Sequence, residues 1–118
     1  MVFRSILRDL VTAVDGALAA LFIDNQGEAV DTVGFLPDYD RKVIGAYQGI
    51  YVTQLEAICR SIDHGRVDRV KIQFEGSTIL KSVVDDEYYL ILVLRPGANE
   101  GLAWNQLALT RERIRQEM

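Results

Sequence analysis

The first third of the chain changes from a helical to a strand-like pattern of apolar residues. Over residues 3–14 they recur every three or four positions, a spacing that predicts an amphipathic helix. Gly16 is a typical stop for such a helix. Residues 17–23 are apolar on both alternating faces, which predicts a central strand that is covered on both sides. A polar turn at 24–27 and an alternating strand over 28–33 complete a hairpin.

A long helix is predicted next. It begins after Asp38, a residue type that caps helices, and runs from about Tyr39 to Ile62. Its apolar arc covers more than half of the circumference, which is wider than contact with one sheet requires. Gly45 and Gly49 lie one turn apart within it, and each costs about 1 kcal/mol of helix propensity relative to alanine. Two interpretations stay open: the helix is set deeply in its own domain, or part of the arc packs against a second subunit.

Three strands and a final helix follow. Alternation of apolar and polar residues predicts a strand over 68–75, and turn residues separate it from strands over 78–84 and 87–94. The last of these strands is apolar on both faces, as a central strand would be. Residues 99–116 are predicted to form a helix whose inward positions are Leu102, Leu107, Ala108 and Ile114.

Together these elements predict a single α/β domain over residues 1–118. Their order is helix, two strands, helix, three strands, helix. The first and fifth strands are apolar on both faces, so we expect them side by side in the middle of a sheet. Hairpin connections then predict a five-stranded, mainly antiparallel sheet of order 2-1-5-4-3. We expect the long helix on one face of this sheet and the two terminal helices on the other.

Composition narrows the classes of function. A formal net charge of −4 argues against binding to a phosphate backbone, so no nucleic-acid partner is expected. One cysteine and one histidine provide neither an internal disulfide nor a zinc cluster. No apolar run approaches the ~18 residues of a membrane span, and Arg8 and Asp9 interrupt any signal-peptide pattern. We therefore expect a cytoplasmic protein that does not insert into membranes.

The third strand is predicted to form a sheet edge with few protective features. It contains one lysine and no proline, and edges left this open are usually paired with another strand. We therefore expect two copies of the chain to associate here, with help from the long helix. The alternative is that the charges at positions 68, 69 and 71 protect the edge sufficiently. The predicted dimer interface consists of Arg69, Val70, Lys71, Ile72, Gln73, Phe74, Ala46 and Thr53.

No residue pattern indicates catalysis. The acidic residues at 85–87 resemble a metal or acid–base cluster, but at a tight hairpin such residues typically belong to a solvated turn. Asp24 and Asp31 likewise fit turn and edge positions. Cys59 is expected to be a small buried hydrophobe, and His64, which follows the long helix, is expected to be exposed. We therefore predict no catalytic residue, no cofactor and no metal ligand.

Several pieces of the chain follow one another in the order of a known family. They are Thr12–Gly16, Ala17–Ile23, Asp24–Gly27, Val70–Ile72, Tyr88–Leu94 and Ala98–Leu102. This ordered set covers nearly the whole chain and resembles the Roadblock/dynein light chain superfamily. The resemblance implies a small α/β domain that dimerises and serves Ras-like small GTPases. Some bacterial members activate a GTPase of gliding motility or polarity, and eukaryotic members include dynein light chains and endosomal scaffolds.

From the resemblance we expect a Ras-like GTPase as partner, bound through its switch regions. The predicted binding platform is the glycine side of the long helix, formed by Lys42, Gly45, Gly49, Val52 and Glu56. One alternative is a dimeric scaffold of the same fold in a motor or signalling complex. A second alternative is a small-molecule sensor of related topology, for which the sequence provides few buried polar residues.

An activator can also supply an arginine to its GTPase. Arg41, Arg60, Arg66 and Arg69 are candidates by predicted exposure alone. None lies in a rigid loop framed by glycines, so we assign this role to none of them. An activator without such an arginine acts by binding the switch loops and repositioning the catalytic groups of the GTPase itself.

Overall fold

The computed structural model describes residues 2–35 and 67–118, together with single positions at 40, 44, 54, 57, 58 and 61. Two helices and five strands lie in this part of the chain. Their bounds are α1 (Val2–Ala13), β1 (Ala17–Asp24), β2 (Ala29–Gly34), β3 (Arg69–Gln73), β4 (Thr78–Val83), β5 (Tyr88–Leu94) and α2 (Glu100–Glu117). Each element lies within three residues of the bounds predicted from the periodicity.

The sheet has the strand order β2-β1-β5-β4-β3, which confirms the predicted order. All four neighbouring pairs are antiparallel. β1 and β5 lie in the middle because nearly every residue in them is buried, so both of their faces need cover. β2 and β3 have exposed residues and form the two edges. Apolar residues on both faces of a strand therefore identified the two strands in the middle of the sheet.

The two terminal helices pack against each other and against one face of the sheet. Phe22 lies in this layer, with its ring centroid 5.0 Å from that of Phe3 and 5.3 Å from that of Tyr88. The same cluster buries residues of α1, the central strands and α2, including Leu7, Leu10, Leu90, Leu92, Ala103, Leu107 and Ile114. The predicted placement of both terminal helices on one face is confirmed.

The opposite face of the sheet carries a second apolar cluster. Its buried members are Ala19, Leu21, Ile23, Ile79, Tyr89, Ile91 and Val93. Ile44, one of the single described positions, is helical and packs against this cluster. The other described positions from 40 to 61 are helical as well, and the rest of the predicted long helix lies outside the described residues. Ile44 therefore covers part of this face, and it belongs to the segment that was predicted to supply the cover.

Helix α2 packs through a stripe that differs from the predicted one. Its buried residues are Ala103, Leu107, Thr110 and Ile114. The prediction was right for Leu107 and Ile114 and wrong for Leu102 and Ala108, which are exposed. The stripe includes the small Ala103 and the polar Thr110, so the rotation of the helix does not follow apolarity alone.

The first hairpin follows the turn chemistry expected of its residues. Asp24 Oδ1 accepts hydrogen bonds from two N–H groups of the turn, each at 2.9 Å. Gly27 has a φ of 84°, a conformation that other residues rarely adopt. At the end of β2, a Cβ on Gly34 would lie 2.4 Å from the carbonyl oxygen of Leu18. Only glycine therefore fits at this point beside β1.

Candidate functional site

Strand β3 turns every second peptide group away from the rest of the sheet. The N–H of Phe74 donates to the carbonyl oxygen of Ser77 at 2.8 Å. Given the register of β3 and β4, the antiparallel alternation places the bonded pairs at even-numbered residues of β3. The N–H and C=O groups of Arg69, Lys71 and Gln73 therefore face outward, where a further strand would meet them.

Two basic side chains of β3 are held against α2. Lys71 Nζ lies 2.7 Å from Glu100 Oε1. The guanidinium carbon of Arg69 lies 4.8 Å from the ring centroid of Trp104, which is a cation–π contact. Charged side chains protect a strand edge when they project towards an incoming strand. These two contacts draw the charges onto the helix and reduce the protection that the sequence alone suggests.

The other side of β3 is apolar and partly exposed. Val70 and Ile72 are half-buried, and Phe74, directly after the strand, is 53% exposed. Val70 packs against the second apolar cluster, so this stripe continues the sheet face on which Ile44 lies. A second subunit joined at β3 would cover these side chains in addition to forming backbone hydrogen bonds.

The predicted site residues fall into two groups. The structure brings the six from Arg69 to Phe74 together along the β3 edge. The others lie outside the described residues and stay predictions: Lys42, Gly45, Gly49, Val52 and Glu56 of the platform, and Ala46 and Thr53 of the dimer interface. The same holds for Cys59, His64, Arg41, Arg60 and Arg66.

The acidic residues at 85–87 have the turn role that was predicted for them. Asp85 Oδ1 accepts hydrogen bonds from the N–H of Glu87 at 2.8 Å and of Tyr88 at 3.0 Å. Within residues 2–35 and 67–118 and the single described positions, no group of three or more metal-ligating side chains occurs. In the same part of the chain, no helix is long and apolar enough to cross a membrane.

The β2 edge carries a polar arrangement that the sequence did not predict. Asp31 was expected to occupy a plain edge position, yet it is only 8% exposed. Its Oδ1 accepts hydrogen bonds from Arg4 Nη2 at 2.8 Å and from the backbone N–H of Thr32 at 2.9 Å. Arg4 belongs to α1 and lies 27 residues earlier in the chain, so no local pattern could reveal the pair.

Lys81 is a second buried polar residue that sequence reasoning missed. It is 1% exposed, and its Nζ lies 4.2 Å from the ring centroid of Tyr89. Strand alternation puts Lys81 on the face of the second apolar cluster, together with Ile79 and Val83. The available signal was a single charged residue inside an otherwise uncharged strand, because a charge in such a position is buried only with favourable contacts.

A cleft of about 600 Å³ lies between the end of β4, the following turn and α2. Both signs of charge line it, with carboxylates at 68 and 85–87 facing Arg111 and Arg115. Arg115 Nε donates to the carbonyl oxygen of Val84 at 2.9 Å, which ties α2 to the turn. Among the described residues, the buried Nε of Arg111 has no hydrogen-bond partner. Mixed charge of this kind does not select one class of ligand.

No protein-family model matches the chain, and no curated protein matches it. Solved structures do match. The Roadblock/LC7 domain from Streptomyces avermitilis has a TM-score of 0.89 at 15% identity, covering 96% of this chain and 94% of that chain. MglC from Myxococcus xanthus is 28% identical over the whole of both chains, with a TM-score of 0.71. The gliding protein MglB from Thermus thermophilus has a TM-score of 0.85 at 18% identity, covering 98% of this chain and 90% of that chain.

Proposed function

We propose that this chain, which has the Roadblock/LC7 fold, is a homodimeric regulator of a Ras-like small GTPase. The observation that carries the proposal is the structural similarity, over nearly the whole chain, to MglC and to the gliding protein MglB. The expected link between this fold and Ras-like GTPases comes from the family resemblance. In this proposal the protein acts in the cytoplasm and needs no cofactor of its own.

Dimerisation is the first step of the proposal, and the open edge of β3 supports it. Outward-facing peptide groups at Arg69, Lys71 and Gln73 provide donors and acceptors for a second copy of the same strand. Two copies related by a two-fold axis would then form one continuous sheet. The half-buried side chains of Val70 and Ile72 would complete the contact on one face.

The second step is recognition of the GTPase by the two long helices of the dimer. We place this contact at Lys42, Gly45, Gly49, Val52 and Glu56, where the missing glycine side chains would leave a shallow platform. The dimer would regulate by binding the GTP-bound switch conformation more tightly than the GDP-bound one. Such a preference shifts the population of the GTPase towards the bound conformation without any catalytic group from the regulator.

Nothing in the proposal requires an arginine supplied in trans. Arg69 is the one described member of the four candidate arginines, and its guanidinium stacks on Trp104. An arginine that enters a GTPase active site has to leave such a contact first. In this proposal the regulator acts through the catalytic groups of the GTPase.

The test uses purified Ras-like GTPases from the source organism, beginning with any that is encoded beside this gene. Binding is measured by calorimetry with the GTPase loaded with a non-hydrolysable GTP analogue or with GDP. We expect at least ~10-fold tighter binding of the GTP form, a difference of about 1.4 kcal/mol. Single-turnover GTP hydrolysis is then measured with and without the protein.

The outcomes separate the regulator from its alternative. Nucleotide-dependent binding together with changed turnover supports the regulator. Equal binding of both nucleotide forms with unchanged turnover supports a dimeric scaffold of the same fold. Absence of binding to every Ras-like GTPase of the organism contradicts both the partner and the platform. GTP hydrolysis by the protein alone would contradict the assignment of a regulator without its own catalysis.

A further inference from the structure

The two edges of the sheet differ in how their outward peptide groups are satisfied. On β2, the N–H of Phe35 donates to the carbonyl oxygen of Leu18 at 2.7 Å. With the register of β1 and β2, the bonded pairs fall at residues 31, 33 and 35. The N–H of Thr32, between them, therefore points away from β1 and towards any strand that would join this edge.

The outward N–H of Thr32 is already occupied. Asp31 Oδ1 accepts it at 2.9 Å, and the same oxygen accepts hydrogen bonds from Arg4 Nη2 at 2.8 Å and Nε at 3.2 Å. Charge-assisted bonds of this kind are stronger than neutral ones. The guanidinium comes from α1, so the first helix holds the carboxylate at the sheet edge.

An irregularity in β2 also shortens the stretch of this strand that could pair with a further strand. The register between β1 and β2 shifts between Phe22 and Ile23, which leaves Val30 without a partner in the ladder. Bulges and charged groups at an edge both discourage the addition of another strand. On β3, by contrast, the basic side chains of Arg69 and Lys71 contact α2, and none of the described residues forms a hydrogen bond with their outward peptide groups.

We propose that Asp31, held by Arg4, is an assembly guard that blocks addition of a second copy of this chain at the β2 edge. A joining strand would have to displace the carboxylate from Thr32, and its carbonyl oxygens would face the carboxylate charge. Of the two edges of the described sheet, the guard leaves β3 open to self-association, so assembly stops at a closed dimer. The restriction to β3 rests on the proposed homodimer, whereas the block at β2 does not.

The test compares Asp31→Ala with Asp9→Ala as a matched control. Asp9 belongs to α1, as Arg4 does, and its Oδ2 pairs with Arg113 Nη1 at 3.1 Å, away from any strand edge. Each variant removes one carboxylate and one ion pair. We expect the weight-average mass of Asp31→Ala, measured by sedimentation and light scattering over a dilution series, to reach at least about twice that of the unsubstituted protein. Asp9→Ala should keep the mass of the unsubstituted protein.

A double variant separates edge pairing from aggregation of a damaged fold. Proline at position 32 removes the outward N–H and is tolerated at a strand edge whose N–H faces solvent. Asp31→Ala with Thr32→Pro should therefore return to the original mass. If the double variant still associates, the growth does not pass through the β2 edge and the guard is refuted.

Two further outcomes complete the test. If Asp31→Ala does not fold by circular dichroism, Asp31→Asn replaces it, since it keeps the side-chain volume and loses the charge; a smaller gain in mass is then expected. A folded variant at position 31 with unchanged mass overturns the guard. If the unsubstituted protein is a monomer, the homodimer proposal fails, but the guard still predicts that Asp31→Ala converts monomer to dimer.

Discussion

Replacing Gln73 with proline tests the β3 interface by removing one outward-facing backbone N–H. The N–H of Gln73 faces outward, so its loss removes no hydrogen bond between β3 and β4. In a two-fold pairing centred on Lys71, about six cross-chain bonds form, and proline in both copies removes about two. Each leaves an unsatisfied carbonyl that costs about 1–3 kcal/mol. The dimer is then weakened by about 2–6 kcal/mol, which raises its Kd at least ~30-fold.

Ile72→Pro is the matched control for this substitution. Its N–H points towards β4 and belongs to the ladder with Ile79, so its loss damages the fold of the single chain. Sedimentation over a dilution series gives the Kd of each variant, and circular dichroism reports whether the chain is folded. We expect Gln73→Pro to be folded with a Kd raised at least ~30-fold, and Ile72→Pro to unfold at a lower temperature. A folded Gln73→Pro protein with the original Kd would refute the β3 interface.

Three further substitutions test the edge, the close approach at β2 and the platform. Glu100→Ala releases Lys71 from α2, and we expect the Kd of the dimer, measured by sedimentation, to rise about 2–5-fold. The stability of the fold should change little, because exposed ion pairs contribute about 0–1 kcal/mol. An unchanged Kd would show that this lysine does not affect the edge. Gly34→Ala should lower the Tm by at least about 10 °C, since its Cβ would overlap the β1 backbone. Gly76→Ala is the control: a Cβ there lies in open space, so the Tm should change by about 1 °C. Equal changes in Tm for the two variants would contradict the close approach of Gly34 to β1. Gly49→Arg should keep thermal stability and the dimer but abolish binding to the GTP-loaded GTPase; normal binding would refute the platform, and a dissociated dimer would assign the glycine to the subunit contact.

The sheet could be predicted because its signals are local. β1 and β5 are apolar at successive positions, a pattern that is typical of a strand covered on both faces. Short connections then left one arrangement for the neighbouring strands. The turns at Asp24 and Asp85 were also readable, since a carboxylate that accepts from its own turn needs no distant partner.

The polar contacts at the two edges could not be predicted for the opposite reason. Asp31 resembles an ordinary edge residue until α1 is placed beside β2, and Lys71 resembles an edge guard until Glu100 of α2 draws it away. Each pair joins elements that are distant in the sequence, so its formation depends on the packing of whole helices. The inward stripe of α2 is similar, because Ala103 is buried and the larger Leu102 is exposed once the helix is docked.

The contact between Arg69 and Trp104 has an optical consequence. Trp104 is the chain's single tryptophan, so its emission comes from one place, directly beneath the exposed strand β3. A cation stacked on an indole ring alters its fluorescence, and any strand that shifts Arg69 will change the signal. Binding of a strand at the β3 edge can therefore be followed without a label. Strand addition beside Asp31, at the opposite edge of the sheet, should leave the tryptophan emission unchanged.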